Sequence, residues 1–393
     1  MGIEYDYIIA GAGAAGLSLA WQMLHSPLKD KKVLIIDKDL KLQDDKTWCF
    51  WHSGEPPFQK LIHKRWSRVE VESAEGYITQ SLQRYPYYAL KSYDFEKKII
   101  AAIKKNPSFH LLESPIQKLS SDPDSKKAYL HTPENILETS YIFQSCFDPF
   151  KIHKSNVRYP LRQHFLGWDI KINTSIFNSD VFTLMDFDHS FTGGVAFTYV
   201  LPWTSKTALL EYTIFSENII AQEKYEEKLS AYLSNRYGLE PDDYQIERKE
   251  YGVIPMEDRP ALPWYKPRIM NIGTQGGVTK PSTGYTFMRI QNQVKNIVEG
   301  LIEDNRPLIY SPSKFRFKAY DLWLLHIIYN SPKEATTIFK QLFQNNKMDE
   351  VFCFLNEDSI LSEDLQIMSS VPYRPFLKAI WKSKKRLREI GRK

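Results

Sequence analysis

Two groups of residues in this chain carry chemistry. The first is Gly11-Ala-Gly13-Ala14-Ala-Gly16, with Asp37 and Lys38 just over twenty residues later. Glycines at this spacing serve separate needs: Gly11 turns tightly, Gly13 lets backbone approach a pyrophosphate, and Gly16 lets a helix pack close on a strand. Free N–H groups at the helix start then face phosphate oxygens. A carboxylate placed like Asp37 accepts hydrogen bonds from ribose hydroxyls. A second cluster, Gly273, Gly276, Gly277 and Gly284, enters another helix and suits a flavin ring or phosphate. The fingerprint alone does not separate NAD from FAD. Its early position and the downstream cluster favour FAD. The second candidate is Glu211, within Leu209-Leu-Glu-Tyr212, which from its strand alone reads first as a solvent-facing or strand-paired side chain. Most glutamates lie at the surface and ionise near pH 4.3. One turned into an apolar cavity is raised by up to about 3–5 pH units, stays protonated and serves as a general acid.

The elements that position these groups are legible in outline. Tyr7–Ala10, the glycine turn, an apolar-periodic helix and Lys32–Ile36 make a βαβ unit. The alternation RVEVESAEGYITQ predicts a hairpin within 66–80. Residues 92–105 predict an amphipathic helix, with Ser92 as N-cap. Short strands are expected at 109–113 and 128–131. Strands at 181–187, 196–201 and 207–213 suggest an antiparallel meander that carries Glu211. On that strand Leu209 and Glu211 point one way, Leu210 and Tyr212 the other. A helix at 224–237 ends at Gly238, a strand at 270–273 meets the second glycine cluster, and a helix follows at 287–301. Beyond about Tyr320 the pattern is helical.

Composition narrows the function class. The chain has 393 residues, with aromatic content of 14%, which suits either a Tyr-rich lineage or an aromatic-lined cavity. Net charge is +5, but eight basic residues crowd into Lys378–Lys393, leaving a slightly acidic body. Nothing there suggests a nucleic-acid surface. The three cysteines, Cys49, Cys146 and Cys353, form no ligand-spaced pair, so neither zinc nor a disulfide framework is expected, and a reducing compartment fits. No signal peptide or transmembrane stretch is expected. In the tail, Phe376, Leu377, Ile380, Trp381, Leu387 and Ile390 alternate with the basic residues. That pattern predicts an interfacial helix on anionic lipid, or a solvated basic tail.

Six segments, in this order, resemble the lycopene cyclase family: Asp45-Lys-Thr-Trp-Cys-Phe-Trp51; Gln163-His-Phe-Leu-Gly-Trp168; Thr183-Leu-Met-Asp-Phe187; Tyr199-Val-Leu-Pro202 with Ala208-Leu-Leu-Glu-Tyr-Thr213; Gly252-Val-Ile-Pro-Met256; and Gly273 through Phe287. They span residues 5 to about 300; the last ninety match less distinctly. The resemblance implies an α/β fold with discontinuous domains. A Rossmann-type FAD domain would take 1–65, 82–165 and 265–305. An antiparallel-sheet substrate domain would take 66–81 and 166–264, leaving 306–393 as a helical region.

It also implies lycopene or a related acyclic carotenoid as substrate, and reduced FAD served by NADPH or NADH. Cyclisation would bring no net redox change. Other carotenoid enzymes are further candidate partners, and the expected location is cytoplasmic, on the inner face of the cell membrane. The family's E-x-T segment supplies the catalytic acid, here Glu211. It usually carries two adjacent acids; this chain has Glu211-Tyr212-Thr213, so the second is dispensable or comes from elsewhere. Ring closure needs a proton donor, a cation-tolerant lining and exclusion of water. Trp48, Trp51, Trp168, Tyr199 and Tyr212 are the candidate lining, since an aromatic face attracts a cation by roughly 0.5–2 kcal/mol. A monooxygenase of the same fold usually has Gly-Asp where this chain has Gly273-Thr274. A polyprenyl reductase would consume NADPH stoichiometrically.

Overall fold

The computed structural model describes residues 3–122, 124, 126–146, 157–310 and 313–391. β1 (Ile3–Ala10), α1 (Ala14–Leu24) and β2 (Val33–Asp37) form the opening βαβ unit. There follow β3 (Thr47–Trp51), β4 (Lys64–Trp66), β5 (Arg68–Ser73), β6 (Gly76–Ser81), β7 (Tyr87–Lys91) and α2 (Ser92–Ile103). Next come β8 (Phe109–Glu113), β9 (Lys118–Asp122), β10 (Lys127–His131) and β11 (Ile136–Gln144). The middle of the chain holds β12 (Leu161–Ile172), β13 (Val181–Phe187), β14 (Val195–Pro202), β15 (Thr207–Ser216), α3 (Gln222–Tyr237) and β16 (Tyr244–Met256). It continues with β17 (Trp264–Lys266), β18 (Ile269–Asn271) and α4 (Phe287–Asp304). Five helices close the chain: α5 (Phe315–Asn330), α6 (Pro332–Asn345), α7 (Met348–Leu355), α8 (Leu361–Ser369) and α9 (Tyr373–Gly391).

The first sheet runs β17-β18-β11-β1-β2-β8, with β9 and β10 attached beside β11. Its inner strands pair in parallel. Ile8, Ile9 and Ala10 are fully buried, because a parallel strand covered on both faces needs apolar residues at successive positions. One face packs on α1, α2 and α4; the other is covered by Ala128 and Leu130 of β10.

The second sheet runs β16-β12-β15-β14-β13-β5-β6. The expected meander is there, widened by the hairpin β5–β6 and by two long strands, β12 and β16, that hydropathy alone did not mark. Alternation sends Ala208, Leu210 and Tyr212 of β15 to the α3 layer. Leu209 and Phe215 go to the opposite layer, beneath the C-terminal helices. A small third sheet, β3-β7-β4, joins the two halves.

Two expectations change. Ser92 is the first residue of α2, not its cap; Lys91 holds the cap position, and the Ser92 hydroxyl donates to the Gln43 carbonyl at 3.1 Å. The tail is a docked helix. Ala379 and Ser383 of α9 are fully buried, and Phe376, Leu387 and Ile390 pack on the protein's own core. Arg386 is locked to Asp258 through an ion pair and a 2.8 Å bond to its carbonyl. Arg392 and Lys393 lie outside the described residues. No helix among the described residues is long and apolar enough to cross a membrane.

Candidate active site

The fold brings the two glycine clusters together. β1 and β18 flank β11 in parallel, so the turns after both strands open at the same sheet edge. They touch: Gly273, at φ +61, leaves so little room that a Cβ there would come 2.7 Å from the Ala15 Cβ. Asp37 ends β2, and its Oδ2 accepts the Ala12 N–H at 2.6 Å. The acid is therefore oriented by the fingerprint itself; Lys38 beside it is exposed. Helix α1 starts with Gly13 at its N-cap and Ala14 as first residue; no side chain caps it and no acid lies in its first turn. A Cβ on Gly13 would meet nothing within 4 Å. Unclaimed N–H groups under open space make a cradle that fits an anionic diphosphate. Gly276 and Gly277 shape the second turn, which Gln293 holds by accepting the Gly273 N–H at 2.8 Å.

Glu211 lies on the face of the second sheet that looks away from α3. Directly across the strands stand Tyr199 on β14, Gly167 on β12 and, beyond it, Glu250 on β16. The four positions form one row on one face. Gly167 carries no side chain between the two acids; a Cβ there would lie 3.0 Å from the Glu250 Cγ and 3.6 Å from the Glu211 Cγ. The carboxyl groups therefore meet over it, and the Glu211 proton is shared toward Glu250.

The two acids differ in support. Glu250 is held by Arg248 at 2.8 Å and by the Thr47 hydroxyl at 2.8 Å. Apart from Glu250, Glu211 has among the described residues the Thr213 hydroxyl, at 3.0 Å. Burial, then the neighbouring Glu250, push the Glu211 carboxyl well above the usual range. Burial also raises Glu250, but Arg248 opposes it. Glu211 is thus the member that keeps its proton. It retains a little accessible surface although protein surrounds it.

A cavity of about 1060 Å³, opening included, lies between this sheet face and the C-terminal helices. Leu184, Tyr199 and Phe215 line the sheet side, and Phe339, Phe352 and Phe376 the helix side. Tyr199 connects cavity to acid, since it lines one and pairs across strands with the other. The hydroxyls of Tyr199, Tyr87 and Tyr285 converge beside it; burial pushes Tyr285 up to about 12.

At the opposite wall, Lys280 binds Asp321 at 3.0 Å and Glu357 at 2.8 Å, all nearly inaccessible. This network ties the second glycine loop to α5. Removing one partner of a buried ion pair costs about 3–5 kcal/mol. Lys280→Ala is accordingly expected to lower the melting temperature sharply in a thermal scan; wild-type melting would show that the network does not hold the loop.

A family model described as lycopene cyclase protein matches residues 6–380. The chain belongs to the lycopene cyclase family. It is 24% identical over 377 residues to the chloroplastic lycopene beta cyclase of Arabidopsis thaliana, covering 92% of this chain and 70% of that protein. It is 25% identical over 307 residues to the Nicotiana tabacum protein of the same name, covering 73% of this chain. The chain spans only 58% of the tobacco protein and 61% of its Capsicum annuum counterpart.

Among solved structures it shares its fold with a geranylgeranyl bacteriochlorophyll reductase-like protein of Thermoplasma acidophilum. The TM-score is 0.59 and identity 13%, over 98% of this chain and 99% of that one. It is also similar to p-nitrophenol 4-monooxygenase of Pseudomonas putida, with TM-score 0.60 and identity 12%, over 91% and 98% of the two chains. The fold is the one these reductase-like and monooxygenase structures share.

The aromatic residues expected around a cyclase cavity divide. Tyr199 lines it, and Trp51 stacks on Phe352 at 4.4 Å and meets Tyr285 edge-on at 4.3 Å. Trp48 does not reach it: one position from Cys49 on β3, it points to the other face and packs on Phe95 and Phe287. Trp168 and Tyr212 also face away, into the α3 layer, where Tyr212 donates to Asp188 at 2.7 Å. His164 lies in that layer between Tyr225 and Ser216, and burial lowers it to about 4. It is a neutral core residue. Glu250, Arg248 and Gly167 had no individual signal in the sequence; strand pairing alone brings them to Glu211.

Proposed function

We propose that this member of the family is a lycopene β-cyclase, closing the ψ-ends of lycopene through γ-carotene to β-carotene with non-covalent FAD in its reduced form. The observation that carries the reading is a buried carboxyl group, raised above its usual range, paired across strands with Tyr199 of an apolar, aromatic-walled cavity. The Glu211 O–H gives its proton to the terminal alkene, and the neighbouring double bond attacks the resulting cation. A second proton then leaves, so the reaction is an isomerisation. Tyr199 presents an aromatic face, and the enclosing helices keep out the water that would trap the cation as an alcohol.

The Gly11–Gly16 turn, Asp37 and the Gly273–Gly277 loop are the residues to hold FAD. Reduced flavin, when bound, supplies a negatively charged ring edge that favours positive charge nearby. NADPH or NADH is the reductant. In a lycopene-accumulating bacterial host, expression of this chain is expected to yield β-carotene. Unchanged lycopene alongside folded, flavin-loaded protein would sink the reading and put a polyprenyl reductase first.

Lycopene partitions into lipid, so the enzyme has to meet a bilayer, on the cytoplasmic side of the cell membrane. We place that contact on the outer face of the α8–α9 corner, because the inner stripe of α9 covers the core. Tyr373, Leu377 and Trp381, four residues apart, are 64%, 58% and 64% exposed. Lys378 and Lys382 are exposed beside them, which suits anionic headgroups. Ile367, Val371 and Phe376 of the same corner line the cavity. Leu377→Glu combined with Trp381→Glu is expected to weaken binding to anionic vesicles roughly 10²–10⁴-fold, given about 1.5–3 kcal/mol for each of two large apolar side chains. Unaltered co-flotation with vesicles would reject this face.

A further inference from the structure

The row Tyr199–Glu211–Gly167–Glu250 solves a problem left by the E-x-T segment, where one acid stands alone. The second carboxyl group comes from another strand. β12 runs between β15 and β16 and offers Gly167 at the one position paired to both acids. Any side chain there would fill the space in which the carboxyl groups meet. Glu250 is 4% exposed, far too buried to carry charge without a partner. Arg248 is that partner, and it also reaches Asp169 at 3.4 Å and the Thr47 hydroxyl at 2.8 Å.

We propose that Glu250 is the second member of a one-proton carboxyl pair, a positioning residue that keeps Glu211 protonated and draws the proton back after each ring closure. This rests on the cyclase reading of the site. Two buried carboxyl groups in contact cannot both ionise cheaply. Arg248 settles the charge on Glu250, so the proton stays on Glu211, next to Tyr199 of the cavity wall. When Glu211 donates, its O–H bond breaks and a C–H bond forms on the substrate, leaving two adjacent carboxylates. That state is strained electrostatically. The ring cation holds an acidic C–H bond; as it breaks, its electron pair becomes the ring double bond and the proton returns to the pair. Protons balance over the cycle, and nothing is oxidised or reduced.

Other titratable groups near the pair are Cys49 of β3, Tyr199 of β14 and Tyr285 ahead of α4; Asp169 of β12 and Asp44 lie on Arg248, Lys91 of β7 on Asp169, and Tyr87 of β7 beside Tyr285. Lys91 lies 3.5 Å from Asp169, so Arg248 is the cation directed at the acids. Glu250→Gln removes the negative charge beside Glu211 and leaves Arg248 in place. Both effects favour ionised Glu211.

The test is the rate of β-ring formation against pH for flavin-loaded wild type and Glu250→Gln, with lycopene in vesicles. Wild-type activity falls as pH rises through the Glu211 titration. In Glu250→Gln that alkaline limb is expected about one pH unit or more lower. A merely structural residue would lower the rate and leave the limb in place, and a limb at the wild-type pH overturns the proposal. A wild type that forms no β-ring at any pH removes the cyclase reading first. Infrared spectroscopy of the flavin-loaded wild type needs no turnover and no folded variant. It is expected to show a protonated-carboxyl band at neutral pH, missing in Glu211→Gln; a neutral-pH spectrum without the band also overturns the pair.

Discussion

Glu211→Gln is expected to yield a folded, flavin-loaded protein that leaves lycopene untouched in a lycopene-accumulating host. Glutamine keeps the size and polarity of the side chain and can still accept from Thr213, which lies 3.0 Å from the carboxyl. It cannot lose a proton to an alkene. General acids contribute about 10²–10⁴-fold; here no other acid on the row is held protonated beside the cavity, so the loss should sit at the upper end. The change should not cost stability. The carboxyl is raised in the folded state, so the native protein binds this proton where the unfolded chain has lost it. Stability from this group is therefore present at low pH and falls as pH rises past the ordinary carboxyl range and through the raised value. In the glutamine variant that alkaline decline should disappear. Melting scans across pH would reveal it, and β-carotene formation by the variant would exclude Glu211 as the acid.

Gly16→Ala is expected to abolish flavin binding and destabilise the fold together. A Cβ at Gly16 would lie 1.9 Å from the Gly11 carbonyl oxygen and 3.1 Å from the Ile9 Cγ2. The first obstacle is backbone, in the turn that shapes the cradle, so the helix must lift from β1. Overpacking a core typically costs about 1–3 kcal/mol, and a clash with main chain should exceed that. Gly13→Ala is the control. Its Cβ meets no protein atom within 4 Å, so melting should stay near wild type while the methyl group intrudes where phosphate would sit. Flavin absorbance per mole of protein, read with the melting temperature, separates the two. Wild-type values of both in Gly16→Ala would show that the turn is not the close contact it is here taken to be.

What could be read from sequence follows from how local each signal is. The β1–α1–β2 unit announces itself because fingerprint, apolar strand and helix are contiguous. β13, β14 and β15 are legible because alternation marks them and short turns separate them. Alternation could also have sorted the aromatic residues. Tyr212 adjoins Glu211 and Trp48 adjoins Cys49, so neither can share its neighbour's face; residue type drew attention where parity should have ruled. Glu250 was invisible for a different reason. It lies thirty-nine residues beyond Glu211 in a strand whose neighbours look solvated, and only pairing through β12 joins them. The α9 stripe was legible as amphipathic, but a sequence does not say whether an apolar face meets lipid or its own protein.

The pairing of β12 with β16 slips by one residue between Asp169 and Ile170. Exposed Glu247 is the supernumerary residue. Before the slip Gly167 faces Glu250; had the phase of the Ile170–Ile172 end continued unbroken, Gly167 would face Lys249. Glu250 would then project into the hydrophobic layer under α3, away from Glu211. Without the bulge that lets Glu247 stand outside the pairing, the register of the Ile170–Ile172 end would turn residues 248–256 over and uncouple the pair as surely as replacing a carboxyl group. In this sheet the half-period of a strand is as much a part of the chemistry as the side chains it delivers.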